Sequence, residues 1–245
     1  YFRGRTFYGS LTRLTKELGY EPELAEEVLS NDSATEWTFK IRKGVEFHNG
    51  KTLTADDVIY TMNRHLGADS ISNASSLVAM VKEWKKVNDY EVKAILSSPN
   101  ADLPIALGTF HFKILQEGAE DFSTAVGTGP YKVKEFKPGV RTVGARFDNY
   151  WGEGGYLDEI EHFGIGDPVA RLNAFLAGDV DAMVNLPPKA IGQVESAPGK
   201  NVWSLNSGAY INIACRKDMD MSGNHDLIMA MKHLMDRERL VKGVY

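Results

Sequence analysis

A mixed α/β architecture is what this 245-residue sequence predicts, and three observations carry the expectation. Strand-like alternation recurs along the chain but is broken irregularly by helix signals. Hairpin turns mix with longer crossover segments, so neither a repeat array nor a regular parallel barrel fits. At the midpoint, Gly127-Thr128-Gly129-Pro130-Tyr131-Lys132-Val133 marks a sharp entry into a strand, the kind of place where a chain changes layers or domains.

The elements follow in order. Tyr8 to Leu14 forms a short amphipathic opening. Pro22-Glu-Leu-Ala-Glu-Glu-Val28 reads as a helical turn, with proline near its first position and acids in its first turn. Trp37 to Arg42 alternates as a half-buried strand. Lys43-Gly44 turns it, and Val45 to His48 continues the alternation into Asn49-Gly50, a strong hairpin signal. Thr54-Ala-Asp-Asp57 caps a helix carrying Val58, Ile59, Met62 and Leu66. Residues 67–76 form a small-residue loop. Val78 to Val87 is amphipathic, and Tyr90 to Leu96 is a strand entered through Asn88-Asp89.

Pro99 to Gly108 reads as a loop with a short apolar helix, and Phe110 to Ile114 as a strand. Strands near 131–136 and 141–147 are joined by Lys137-Pro138-Gly139, and Asn149-Tyr150-Trp151-Gly152 ends that hairpin. Glu159 to Ile165 is a further strand. Pro168 opens a helix with Val169, Leu172 and Phe175-Leu176 on one face, closed by Gly178. Val180 to Val184 reads as a short buried strand. Asn201 to Leu205 and Tyr210 to Ala214 read as two more, and Asp226 to Tyr245 as one long amphipathic helix. A domain boundary is expected near 127.

Composition narrows the function. With 28 Lys+Arg against 33 Asp+Glu the net charge is −5, and no basic patch interleaved with aromatics appears, which argues against nucleic-acid binding. No apolar run approaches the roughly 20 residues that span a bilayer. The single cysteine, Cys215, lies in an apolar run and reads as a buried structural thiol; one cysteine excludes an intrachain disulfide. The chain opens at Tyr1 and stops at Tyr245 just after a helical pattern, and both ends read as cuts through a longer protein.

Enzyme motifs are absent. There is no Gly-x-Ser-x-Gly elbow, His-Glu-x-x-His helix, phosphate loop or Gly-x-Gly-x-x-Gly. The six histidines, at 48, 65, 111, 162, 225 and 233, form no i,i+4 pair, so local spacing offers no metal site and no cofactor is expected. Asp56-Asp57 and Asp179/Asp181 are the carboxylate pairs a hydrolase would need. The first pair sits at a helix N-terminus and the second flanks a helix-ending glycine, which favours structural roles. Cleft-lining candidates remain. In Phe110-His111-Phe112 a strand would place His111 opposite the two rings, so His111 is either solvated over a core pair or faces a pocket. Tyr210 and Asn212 would share one strand face, meeting solvent or a ligand. Trp151 and Trp203 read as packing residues.

Pro22-Glu-Leu-Ala-Glu26 followed by the unbroken stretch Trp37 to Val58 closely resembles the signature region of the family 5 bacterial extracellular solute-binding proteins, the dipeptide-, oligopeptide- and nickel-binding components of ABC importers. Gly127-Thr-Gly-Pro-Tyr131, Asn149-Tyr-Trp151, Ala177-Gly-Asp-Val-Asp-Ala182 and Asp236-Arg237 follow in the family's order. The chain departs where Ala214 stands in place of an asparagine and where Met219 to Asp226 replaces a Pro-Phe-Asp-like lead-in. The resemblance implies a periplasmic-binding-protein-like fold of type II, in the large variant with an inserted domain and with an incomplete second lobe. It places 1–15 and 128–214 in lobe I, 16–127 in the inserted domain and 215–245 at the start of lobe II. It also implies a non-enzymatic monomer, periplasmic or anchored outside the membrane, that closes around a solute and hands it to ABC permease subunits. That solute would be a peptide, amino-acid derivative, metal chelate or sugar. Tyr210, Asn212 and His111 are the expected ligand contacts, with Ser75 and Ser76 as further candidates. A carboxylate-dependent hydrolase and a chemosensory or chaperone-like binding module are the rival readings.

Overall fold

The structure, a computed structural model, describes residues 2–67, 70–204 and 223–244. The chain divides into two compact units, Tyr1–Gly164 and Ile165–Tyr245. In the first, helix α1 (Phe2–Phe7) leads into β1 (Thr12–Leu14), which pairs antiparallel with β2 (Tyr20–Pro22). Then come β3 (Ala25–Ser30), β4 (Glu36–Ile41), α2 (Ala55–Asn63), β5 (Val81–Asn88), β6 (Glu91–Leu96) and α3 (Leu103–Leu107). The four strands form an antiparallel sheet in the order β3-β4-β6-β5.

Alternation decides which face of this sheet is buried. Trp37, Phe39 and Ile41 of β4 and Val92, Ala94 and Leu96 of β6 point into one core, where α2 contributes Val58 and Met62 and α3 contributes Leu103 and Leu107. The opposite face carries cross-strand ion pairs, Lys40 with Glu27 and Lys93 Nζ to Glu36 Oε1 at 2.5 Å. Such exposed pairs each contribute at most about 1 kcal/mol, so the buried face holds the sheet together.

Helix α2 starts where the sequence predicts. Asp57 Oδ2 accepts the Thr54 N–H at 2.9 Å, and its Oδ1 accepts from Lys51 Nζ at 2.5 Å and from the Glu117 N–H at 2.8 Å. One fully buried carboxylate thus ties three segments. A second antiparallel sheet, β7-β8-β9, is built from β7 (Tyr131–Lys137), β8 (Arg141–Arg146) and β9 (Glu159–Phe163). Phe7, Ala125 and Tyr131 form a small core beside it with Val133 and Ile160.

The second unit holds α4 (Pro168–Ala177), α5 (Ile191–Glu195), α6 (His225–Leu234) and α7 (Arg237–Val244). Asp167 Oδ1 caps α4 by accepting the Ala170 N–H at 2.7 Å, and Gly178 ends it at φ 86°. Leu172, Phe175, Ala190 and Val194 make the local core.

Several expectations need correction. Pro22 to Val28 is not a helical turn: Pro22 closes β2 and the following residues form β3, because pairing of Val28 with Phe39 and Ser30 with Trp37 outweighs local propensity. The amphipathic run 78–87 contains strand β5; a register shift between Val81 and Glu83 puts Val81 and Trp84 on one buried face. Phe110 to Ile114 is no strand. Phe112 and Ile114 turn inward and Ile114 N–H reaches Gly9 O at 2.9 Å, while Phe110 is 45% exposed. Val180 to Val184 lacks strand structure, with Asp181, Ala182 and Val184 exposed; residues 201–204 are likewise irregular. On α4, Val169 is exposed rather than buried. The final helix is broken at Met235-Asp236, since Asp236 Oδ1 accepts the Arg239 N–H at 2.9 Å and starts α7. Trp151 packs partly buried against the main core, whereas Trp203 is 85% exposed. Leu205, Tyr210 to Ala214 and Cys215 lie outside the described residues.

Candidate functional site

The sequence candidates inside the first unit converge on one wall. His111 follows α3, and the ring of Phe110 lies against its imidazole, with centroids 3.8 Å apart. This replaces the expected opposition of His111 to both rings. The buried ring of Phe112 stands 6.4 Å from His111 and 4.7 Å from His65, at the end of α2. His65 Nδ1 is 2.7 Å from Ser72 Oγ, which also accepts the Ala74 N–H at 3.1 Å. His111 Nδ1 is 3.4 Å from Thr109 Oγ1. Ser75, half-buried, and Ser76, exposed, continue the same loop as a short 3-10 turn, Ser75–Val78, that packs against α3.

Imidazoles, hydroxyls and aromatic rings meet here, the kinds of polar and apolar groups that line solute sites. Burial pushes His65 below the usual histidine range, and the charges of Arg64 and His111 push it the same way. Sequence did not single out His65 or Ser72, and it read Phe110 as one of a core pair, whereas it is 45% exposed. His65 sits just beyond the apolar pattern of α2, where nothing local ties it to His111.

The Gly127-Thr128-Gly129 turn is gripped by two distant segments, residues 6–9 and His48. Gly129 N–H donates to Phe7 O at 3.1 Å, and Gly9 N–H donates to Thr128 Oγ1 at 3.2 Å. A Cβ on Gly127 would lie 2.1 Å from Phe7 O, and one on Gly129 2.5 Å from Thr6 O. Close approach of backbone, not an unusual φ, requires glycine at both positions. From the other side, His48 N–H donates to Gly127 O at 2.9 Å. Gly127 N–H donates to His48 Nδ1 at 3.3 Å, and His48 Nε2–H donates to Gly129 O at 2.9 Å. The amide donor facing Nδ1 sets this tautomer. Burial holds His48 below the usual histidine range.

The two carboxylate pairs stand in different surroundings. Asp57 is consumed by α2 and its neighbours, and Asp56 Oδ2 accepts from Lys86 Nζ at 2.7 Å. Asp179 and Asp181 are exposed. Among the described residues, no group of three or more His, Asp or Glu side chains is placed to hold a metal ion. A hollow of about 650 Å³ in the second unit is lined by Phe175, Asp181, Met183, Asn185, Lys200 and Trp203. Tyr210 and Asn212 lie outside the described residues.

Comparison with known proteins gives this geometry a context. Residues 19–245 match the family described as bacterial extracellular solute-binding proteins, family 5 Middle. The chain is 29% identical over 249 residues to the oligopeptide-binding protein AppA of Bacillus subtilis (strain 168), covering 97% of this chain and 46% of AppA. The structure of AppA in complex with a nonapeptide superposes with a TM-score of 0.71 at 31% identity, over 79% of this chain and 41% of that one. The binding protein AgaA of A. tumefaciens R10, in complex with agropinic acid, superposes with a TM-score of 0.74 at 25% identity, over 80% and 41%. NikA of Brucella suis, in complex with Fe(III)-EDTA, gives 0.70 at 26% identity, over 80% and 42%. The chain therefore spans less than half the length of these relatives.

Proposed function

From the premise that the chain belongs to family 5 of the bacterial extracellular solute-binding proteins, we propose that the whole protein captures a small solute outside the cytoplasmic membrane and delivers it to an ABC permease. The match across residues 19–245 carries this reading. Relatives solved with a nonapeptide, with agropinic acid and with Fe(III)-EDTA support a peptide-like or other small polar solute. In this reading 1–15 and 128–214 belong to lobe I, 16–127 to an inserted domain and 215–245 to the start of lobe II. The solute stabilises a closed state through contacts that the open state lacks.

His111 is assigned a polar contact, supported by its stacking on the half-exposed Phe110 and by its neighbour His65. Ser75 and Ser76 are assigned hydrogen bonds from the adjoining loop. Tyr210 is assigned stacking and Asn212 hydrogen bonding. The periplasm, or a membrane-anchored site outside the cell, is the proposed location.

The test uses the full-length protein. Native mass spectrometry identifies what co-purifies, and calorimetry with that compound follows for His111→Ala and the Tyr210→Ala/Asn212→Ala pair. Each variant is expected to weaken binding by about ten-fold or more, the scale of one lost buried hydrogen bond or stack, with unchanged thermal stability. Unchanged affinity in both would remove these residues from the site. Turnover of the compound without retention would overturn the binding-protein reading.

A further inference from the structure

We propose that His48 is a pH-sensitive latch that holds the Gly127-Thr128-Gly129 turn to the 45–52 segment and loosens its grip at Gly127, on that side alone, in mild acid. Three hydrogen bonds make the latch. The backbone N–H of His48 donates to Gly127 O, the ring accepts from Gly127 N–H at Nδ1, and the ring donates from Nε2 to Gly129 O. The ring is wedged by the edge of Phe147, with centroids 5.1 Å apart at 76°, and Phe147 is itself tied to Pro130 O through its N–H at 2.9 Å.

The bond accepted at Nδ1 works only with a neutral ring. A proton added at Nδ1 removes the bond from the Gly127 N–H; the Gly129 and Ala125 backbones favour the charged ring, but burial, the largest influence, outweighs them. The charged surroundings give an imidazolium no counterion. Lys132, on β7, is the charged group acting on the ring, and it disfavours a second positive charge. On the 45–52 segment, Glu46 Oε2 accepts from Asn149 Nδ2 and Lys51 is paired with Asp57. Beside Phe147, Asp148 is paired with Arg146. Residues 125–130 of the turn carry no titratable side chain.

The release is one-sided because the opposite grip contains no titrating group. Gly129 N–H stays on Phe7 O and Gly9 N–H on the Thr128 hydroxyl at any pH in the histidine range. Acid therefore loosens the turn on the α2 side at the Gly127 N–H, while the His48 N–H stays on Gly127 O and Nε2–H on Gly129 O, and the turn stays seated on α1.

The experiment follows amide exchange in the full-length protein labelled with [15N]glycine, between about pH 7.5 and about pH 5, with the His48 ring titrated in parallel by its Cε1–H signal. After correction for intrinsic rates, Gly127 is expected to lose about ten-fold protection, the worth of one hydrogen bond. Its midpoint should match that of His48 and lie below the ordinary value of about 6.5. Gly9 and Gly129 should keep their protection. His48→Gln, whose amide can still donate to Gly129 O but does not titrate, should make Gly127 exchange independent of pH; if that variant fails to fold, the wild-type titration decides alone. A His48 midpoint at or above the ordinary value, a pH-independent Gly127 or a parallel loss at all three glycines would overturn the latch.

Discussion

Gly127 and Gly192 are both glycines, but they stand in opposite surroundings. A methyl group on Gly127 collides with the Phe7 carbonyl oxygen at 2.1 Å, a backbone atom that cannot swing aside. Gly127→Ala should therefore cost at least about 3 kcal/mol, read as a lower urea midpoint. At Gly192, inside α5, a methyl group meets nothing within 4 Å, so Gly192→Ala should gain up to about 1 kcal/mol by restricting the unfolded chain. The histidines give a second residue-scale expectation. Burial is the largest cause lowering His48, His65 and His162. A histidine lowered in the fold is neutral there while the unfolded chain still takes up the proton. The unfolded state then binds more protons, so this stability is intact above about pH 6.5 and drains away as pH falls through that value. Denaturant midpoints at about pH 7.5 and about pH 5.5 should differ in that direction, and a higher midpoint in acid would refute it.

Among elements, α2 is held by one polar side chain as well as by its hydrophobic face. Asp57 receives the Thr54 amide, the Lys51 ammonium and the Glu117 amide while fully buried. Asp57→Asn keeps the size but weakens all three, and should cost about 1–3 kcal/mol in a urea titration; no shift in midpoint would show that the helix start is held elsewhere. This helix was legible in sequence because Thr54 and Asp57 are neighbours and their signal is local. The hairpin of β7 and β8, turned at Pro138-Gly139, and α4, opened by Pro168 and closed by Gly178, were legible for the same reason. The misread segments share a different property. Ala25 to Ser30 became a strand because β4 was there to pair with it, and Phe110 to Ile114 lost its strand because Ile114 found Gly9 instead. The site divides in the same way. His111 stands out beside two aromatic rings in sequence, but its neighbour His65 arrives from another element, and no spacing rule announces that meeting.

For the whole molecule, the expected readout of function is stabilisation by the solute. A solute that binds only the folded protein, present at about one hundred times its dissociation constant, should add about 2.7 kcal/mol to the full-length protein. Thermal unfolding with and without the co-purified compound measures this, and an unmoved transition would argue that the compound is a contaminant. The long reach of the contacts around α1 bears on how the chain is made. Arg3 guanidinium donates to Ser123 O across 120 positions, Gly9 to Thr128 across 119, and Thr6 Oγ1 meets His162 Nε2 across 156. A chain that emerges N-terminus first holds the residues around α1 idle until far more of it has been synthesised. Loops that long close late, after the local hairpins and helices have formed. The residues of α1 are therefore among the last of this stretch to find their places, and a nascent chain stopped before the β7-β8 hairpin would carry Phe7 uncovered, a handle for the factors that keep unfinished chains from aggregating.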